Sequence, residues 1–192
     1  MDRRLRFAAV IAVQLLILAA VPWRQVLARL RGQTVTLLTA PVDPFSPFGG
    51  YFMTLAYEVE RDARDGSVTA CSGRDRVYFV VEKAAPAWRL VSVERELPRA
   101  TPGRAALRAP CPPREREWRR AELESAGRFY LPEAKAKVLE EAMAAEWKRV
   151  RELPDDERER AQRTRMLVDL RADDEGNVAL LRLRFGDLTF EE

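Results

Sequence analysis

A chain of 192 residues with no histidine has lost the commonest general base and the commonest metal ligand together. For hydrolytic chemistry the leading option is then a serine whose proton is taken by a lysine. The serines are Ser46, Ser67, Ser72, Ser92 and Ser125, and Lys83 is the lysine outside the helical region that carries Lys135, Lys137 and Lys148. None of these serines sits in a recognisable nucleophile motif, and Lys83 at the end of a strand reads as a solvated lysine. Carboxylates are plentiful and offer an alternative acid–base pair. The most suggestive cluster, Asp173-Asp174-Glu175-Gly176, lacks the D-x-D-x-D-G spacing of a calcium loop and reads as a hairpin turn. Cys71 and Cys111 are too few for a thiolate zinc site. They can form one disulfide in an oxidising compartment or remain two thiols. No catalytic residue, metal or cofactor is assigned on these grounds. The two functional classes to weigh are a non-catalytic interaction module and a histidine-free hydrolase of Ser/Lys or carboxylate type.

The stretch with the most pronounced composition is DPFSPFGGYFMTLAYEVE, residues 43–60. Gly49-Gly50 leads into a strand-like alternation rather than a helix, so it does not form a phosphate-cradling turn. Asp43-Pro44 is a turn initiator. Phe45, Phe48 and Tyr51 are candidates for contact with a partner or the lipid interface, with capping of a β-rich core as the structural alternative. Beyond them, Met53, Leu55, Tyr57 and Val59 fall on one face of a strand and Phe52, Thr54, Ala56 and Glu58 on the other.

The elements that must position these residues begin with a membrane segment. Phe7 to Trp23 is apolar apart from Gln14. Its seventeen residues would span about 25 Å as a helix, within the transmembrane range. It is expected to be an uncleaved anchor, although Leu18-Ala19-Ala20 also resembles a signal cleavage site. Arg3, Arg4 and Arg6 precede it and Arg24, Arg29 and Arg31 follow it, so charge does not set its orientation. Residues 1–31 form the anchor and juxtamembrane segment, and residues 32–192 form one domain.

In that domain strands are expected at Thr34–Thr39, in RVYFVVEK, in AWRLVSVERE and at Ala105–Ala109, with a short one in RFYLPE. RDARDGSVTACSGRD reads as a polar connection. The one clear helix is PEAKAKVLEEAMAAEWKRV, opened by Pro132, with Leu139, Met143, Trp147 and Val150 as its apolar stripe. A hairpin closes the chain, turning at Asp173–Asn177, with Leu181, Leu183 and Phe185 inward. The fold class is α+β, with an N-terminal transmembrane helix and a β-rich, barrel- or sandwich-like domain. The 33 basic and 30 acidic residues interleave in runs such as REREWRRAELE, the pattern of a solvated face rather than a nucleic-acid footprint.

Gly50-Tyr51-Phe52-Met53-Thr54-Leu55-Ala56-Tyr57 resembles the motif that names the GDYXXLXY family of membrane-anchored proteins. It keeps Gly50, Leu55 and Tyr57, while Tyr51 replaces the aspartate and Phe52 the first tyrosine. PVDPFSPF, RVYFVVEK, RFYLPEAKAKVLE and MLVDLRADDEGNVALLRL are similar to further family segments in the same order. The resemblance implies an N-terminal anchor, a domain outside the cytoplasm and a multi-pass membrane protein as partner. It implies no activity, and the missing motif acid favours a structural role for the motif here.

Overall fold

The structure is a computed structural model that describes residues 3–20, 23–40, 52–65, 76–110, 123, 126–154, 157 and 166–191. The β-branched segment after Gly32 forms β1 (Gln33–Ala40), whose Val35 and Leu37 are fully buried. The C-terminal apolar runs form β8 (Met166–Ala172), β9 (Val178–Phe185) and β10 (Leu188–Glu191). With β3 (Ala56–Tyr57) they make a five-stranded antiparallel sheet in the order β10-β9-β8-β1-β3.

RVYFVVE is apolar on both faces and is accordingly the centre of a second sheet. There β4 (Arg76–Glu82) lies between β5 (Arg89–Glu94) and β6 (Arg104–Pro110). A third, two-stranded sheet pairs β2 (Phe52–Thr54) with β7 (Arg128–Tyr130). All three sheets turn side chains into one core, which also takes Ala136 and Leu139 from α4 (Glu133–Arg151). The described architecture is therefore α+β and β-rich, with four helices.

Several expectations need correcting. The alternation from Phe52 to Glu60 is not one strand. Leu55 interrupts it by donating its N–H to the Gly127 carbonyl (2.9 Å), and the chain passes from β7's partner to β1's partner. Met53, Leu55, Tyr57 and Val59 are buried as expected, but so is Ala56, because β3 lies in a different sheet from β2. The strand then ends at Tyr57, and Glu58–Asp65 is a helix, α3, where the strand was expected to continue through Val59 and a polar connection to begin at Arg61.

In the closing hairpin the register shifts between Asp169 and Leu170, so Asp169 faces Arg182 while Leu170 faces Leu180. The bulge leaves Leu181 out of the pairing. The inward set becomes Val178, Leu180 and Leu183, with Phe185 packed on the core. On α4, Leu139 and Val150 are buried and Met143 packs partly on the core, but Trp147 is exposed. A row of i+4 steps drifts by about 40° per step, which turns Trp147 away by about 80°.

The bulge has an electrostatic consequence. It sets Arg182 and Arg184 on the outer face beside Asp169, which is 5% exposed. Asp169 accepts hydrogen bonds from Thr36 Oγ1 (2.7 Å) and Arg184 Nη2 (2.8 Å), and pairs with Arg182 Nε at 3.1 Å. Removing one partner of a fully buried pair costs about 3–5 kcal/mol. Both arginines here keep about two-fifths of their exposure, so Asp169→Asn is expected to lower unfolding free energy by about 1–2 kcal/mol. Chemical denaturation of the full chain checks this.

The N-terminus is two helices, α1 (Arg3–Ala20) and α2 (Trp23–Arg31). Trp23 therefore opens α2 rather than closing a single span. No single described helix is long and apolar enough to cross a membrane. The pair Phe7–Ala20 and Gln25–Arg31 meets that length and composition together, with a 50° bend. From Phe7 to Ala20 every side chain is exposed. By contrast α2 packs against β8 and β9, burying Ala28 completely.

Candidate functional site

The motif residues Leu55 and Tyr57 enter the core because the chain changes partners twice within fourteen residues, 52–65, from β2 to β3 and from β3 to α3. Such changes leave backbone groups outside any ladder, and two side chains bond to backbone groups here, Glu60 to donors and Tyr57 to an acceptor. Glu60, the third residue of α3, reaches back to the N–H of Tyr57 through Oε2 (3.0 Å). This is one half of a capping box, with Glu58 adding a second acid to the helix's positive end. Through Oε1, Glu60 also accepts the N–H of Leu123 at 2.8 Å. It does so while only 3% exposed.

Tyr57 completes the fastening. Its ring is 1% exposed, and its hydroxyl donates to the Ala126 carbonyl at 2.8 Å. Together with the Leu55 to Gly127 bond and the β2–β7 ladder, these contacts tie the motif to residues 123–130. The inner half of the motif is thus a latch between distant parts of the chain. Removing only the phenol in Tyr57→Phe leaves the ring in place and the bond unmade. A loss of about 1–1.5 kcal/mol is expected in denaturant titration of the full chain.

The outer face of the same strand pair is different in kind. Met53 and Phe129 point inward, so Phe52, Thr54, Arg128 and Tyr130 point out. Phe52 lies directly opposite Tyr130, with ring centroids 5.9 Å apart at a tilted 48°. The Arg128 guanidinium stands 5.2 Å over the Phe52 ring, a cation–π arrangement. Tyr130 remains 56% exposed. With Phe52 half-buried and Tyr130 open to solvent, the pair is held in register by the ladder, so as a contact patch it would have little entropy to lose.

Of the residues singled out from sequence, Phe52 lies in this patch and Leu55 and Tyr57 in the latch. Phe45, Phe48, Gly50, Tyr51, Cys71 and Cys111 lie outside the described residues, as do Ser46, Ser67, Ser72 and Ser125. Ser92 is described, and its hydroxyl donates to Glu94 Oε1 (2.9 Å). Lys83 is exposed at the end of β4. The carboxylate of Asp173 is committed to its turn, accepting the N–H groups of Glu175 (3.0 Å) and Asn177 (2.8 Å). Among the described residues no group of three or more acids or cysteines could hold a metal ion.

One polar cleft, of about 90 Å³, lies beside β6 between Gln33, Arg99, Arg104 and Asp174. Two of its polar residues are engaged: Gln33 donates to the Arg104 carbonyl (2.7 Å), and Arg104 pairs with Glu82 at 2.8 Å. Sequence reasoning had missed Glu60, Arg128 and Tyr130. The first-turn acids of α3 were the available signal for Glu60. For the other two, only the pairing of β2 with β7 brings them to Phe52.

Residues 14–183 match the family described as GDYXXLXY protein. The chain belongs to the GDYXXLXY family. The match runs from within α1 to Leu183 of β9, so it takes in the motif, the latch and the contact patch alike. No curated protein and no solved structure matches the chain. Within this GDYXXLXY protein the described motif positions divide by depth. Leu55 and Tyr57 are core residues, and Phe52 belongs to the open face.

Proposed function

We propose that this GDYXXLXY protein is a single-pass membrane-anchored domain outside the cytoplasm that serves as a non-catalytic accessory module for a multi-pass membrane protein. The observation that carries this reading is the Phe52–Arg128–Tyr130 patch, an ordered aromatic surface. Anchoring is supported by α1, where Phe7, Leu16 and Leu18 are each about 70% exposed and need an apolar environment. The eighteen residues of α1 reach about 27 Å, but Arg3, Arg4 and Arg6 shorten its apolar part to residues 7–20, about 21 Å, and the stem of Arg4 extends that reach by snorkelling.

The test has two arms. Membranes washed at alkaline pH should retain the protein until detergent is added; release by the wash would remove the anchor. A membrane-impermeant thiol reagent, applied to intact cells after reduction, should label Cys71 or Cys111. Labelling seen only after permeabilisation would place the domain on the other side.

A further inference from the structure

We propose that α2 is an interfacial helix, with one face seated on the domain and the opposite face on the phospholipid headgroups. This deepens the anchored reading and rests on it for the position of α1.

The helix has two apolar sides. Ala28 is fully buried against the sheet, and the chain is held there at Gly32. An added Cβ at Gly32 would lie 2.5 Å from the Ala28 oxygen and 2.8 Å from the backbone of Ala172. Arg171 Nη1 donates to the Gly32 carbonyl at 2.6 Å, which fastens the helix C-terminus to β8. The second side comprises Trp23, Val26 and Leu30, which are 58%, 41% and 76% exposed. At about 100° per residue these three fall within an arc of about 60°, and Ala28 lies about 170° from its middle. A helix on the surface of a soluble protein turns its polar side outward. Here an apolar stripe faces away from the domain.

Two features assign that stripe to lipid. It continues from α1 through a 50° bend, so an α1 tilted by about 40° from the membrane normal lays α2 along the surface. WRQVLARLR also contains Arg24, Arg29 and Arg31 and no acid. Arg29 and Arg31 lie about 90° to one side and about 110° to the other of the stripe's middle, and arginines bordering an apolar stripe that carries a tryptophan form the pattern that binds anionic headgroups. Because α2 is clamped to β8, such seating would hold the whole domain in one orientation against the membrane.

The test uses the full chain with Cys71→Ser and Cys111→Ser, carrying one reporter cysteine, Leu30→Cys or Leu16→Cys, labelled with an environment-sensitive fluorophore. The protein is reconstituted into vesicles of zwitterionic phospholipid doped with an anionic one. Nitroxide quenchers sit either at the headgroup or deep in the acyl chain. The Leu30 probe is expected to be quenched more strongly by the headgroup nitroxide. A Leu30 probe that neither nitroxide quenches, or that the deep one quenches more, overturns the interfacial assignment. The Leu16 probe judges the anchor separately: stronger quenching by the deep nitroxide supports it, and anything else removes it.

Discussion

Glu60→Gln is expected to destabilise the domain by about 2–4 kcal/mol, although the substitution changes neither size nor shape. The carboxylate accepts one backbone N–H on each oxygen, from Tyr57 and from Leu123. Glutamine offers a single acceptor oxygen, so one of these N–H groups must face an amide NH₂. That arrangement sets donor against donor in a site only 3% exposed. Hydrogen bonds to a charged acceptor are worth about 1.5–3 kcal/mol each, and a buried orphaned donor adds its own desolvation cost. The neighbouring Glu58 provides the control. It pairs with Arg61 at 3.2 Å on a partly exposed surface, so Glu58→Gln should change stability by less than about 0.5 kcal/mol. Denaturant midpoints of the full chain measure both. Tyr57→Phe combined with Glu60→Gln should be non-additive, because both side chains fasten residues 123–126 to the motif. An effect of Glu60→Gln no larger than that of Glu58→Gln would remove the latch.

Gly32→Ala is expected to cost about 1–3 kcal/mol and to loosen α2 from the sheet. The atoms its Cβ would meet, the Ala28 oxygen and the Ala172 carbonyl, are all backbone, so no rotamer can yield. The clash must be relieved by parting the helix from β8, which also lengthens the Arg171 bond to Gly32. The matched control is Gly127→Ala, where nothing lies within 4 Å of the added carbon, and there a near-neutral result is expected. Trypsin cleavage after Arg29 or Arg31 should accelerate in Gly32→Ala and stay unchanged in Gly127→Ala. Equal cleavage in both would show that the close approach at Gly32 does not hold the helix down.

What the sequence revealed, and what it hid, follows from where the determining atoms lie. Strand β4 was legible because Val77 to Val81 is apolar on both faces, and only a central strand buries both. The turn at Asp173–Asn177 was legible because an Asp that accepts the N–H two residues on is a local device. The bulge at Leu181 was not, since VALLRLRF permits either register and the choice depends on Asp169 across the ladder. Helix α3 was hidden by its polarity. Only Val59 and Glu60 of its described side chains are buried, and the latter's role depends on the N–H of Leu123, sixty-three positions away. Backbone groups have no residue type, so neither the Leu123 N–H nor the Ala126 carbonyl leaves a trace in the sequence. The contact patch was half legible. Phe52 was seen in the motif, while Arg128 and Tyr130 joined it only through the β2–β7 pairing.

The role as a partner-binding module is tested most directly from Tyr130 itself. A photo-crosslinking phenylalanine analogue at that position keeps an aromatic ring opposite Phe52, and illumination of intact membranes reports what the patch touches. The expected result is a covalent adduct with a multi-pass membrane polypeptide, diminished when Arg128→Ala and Phe52→Ala disrupt the patch. Illumination that yields no protein adduct at Tyr130, with the anchor and fold intact, would contradict it.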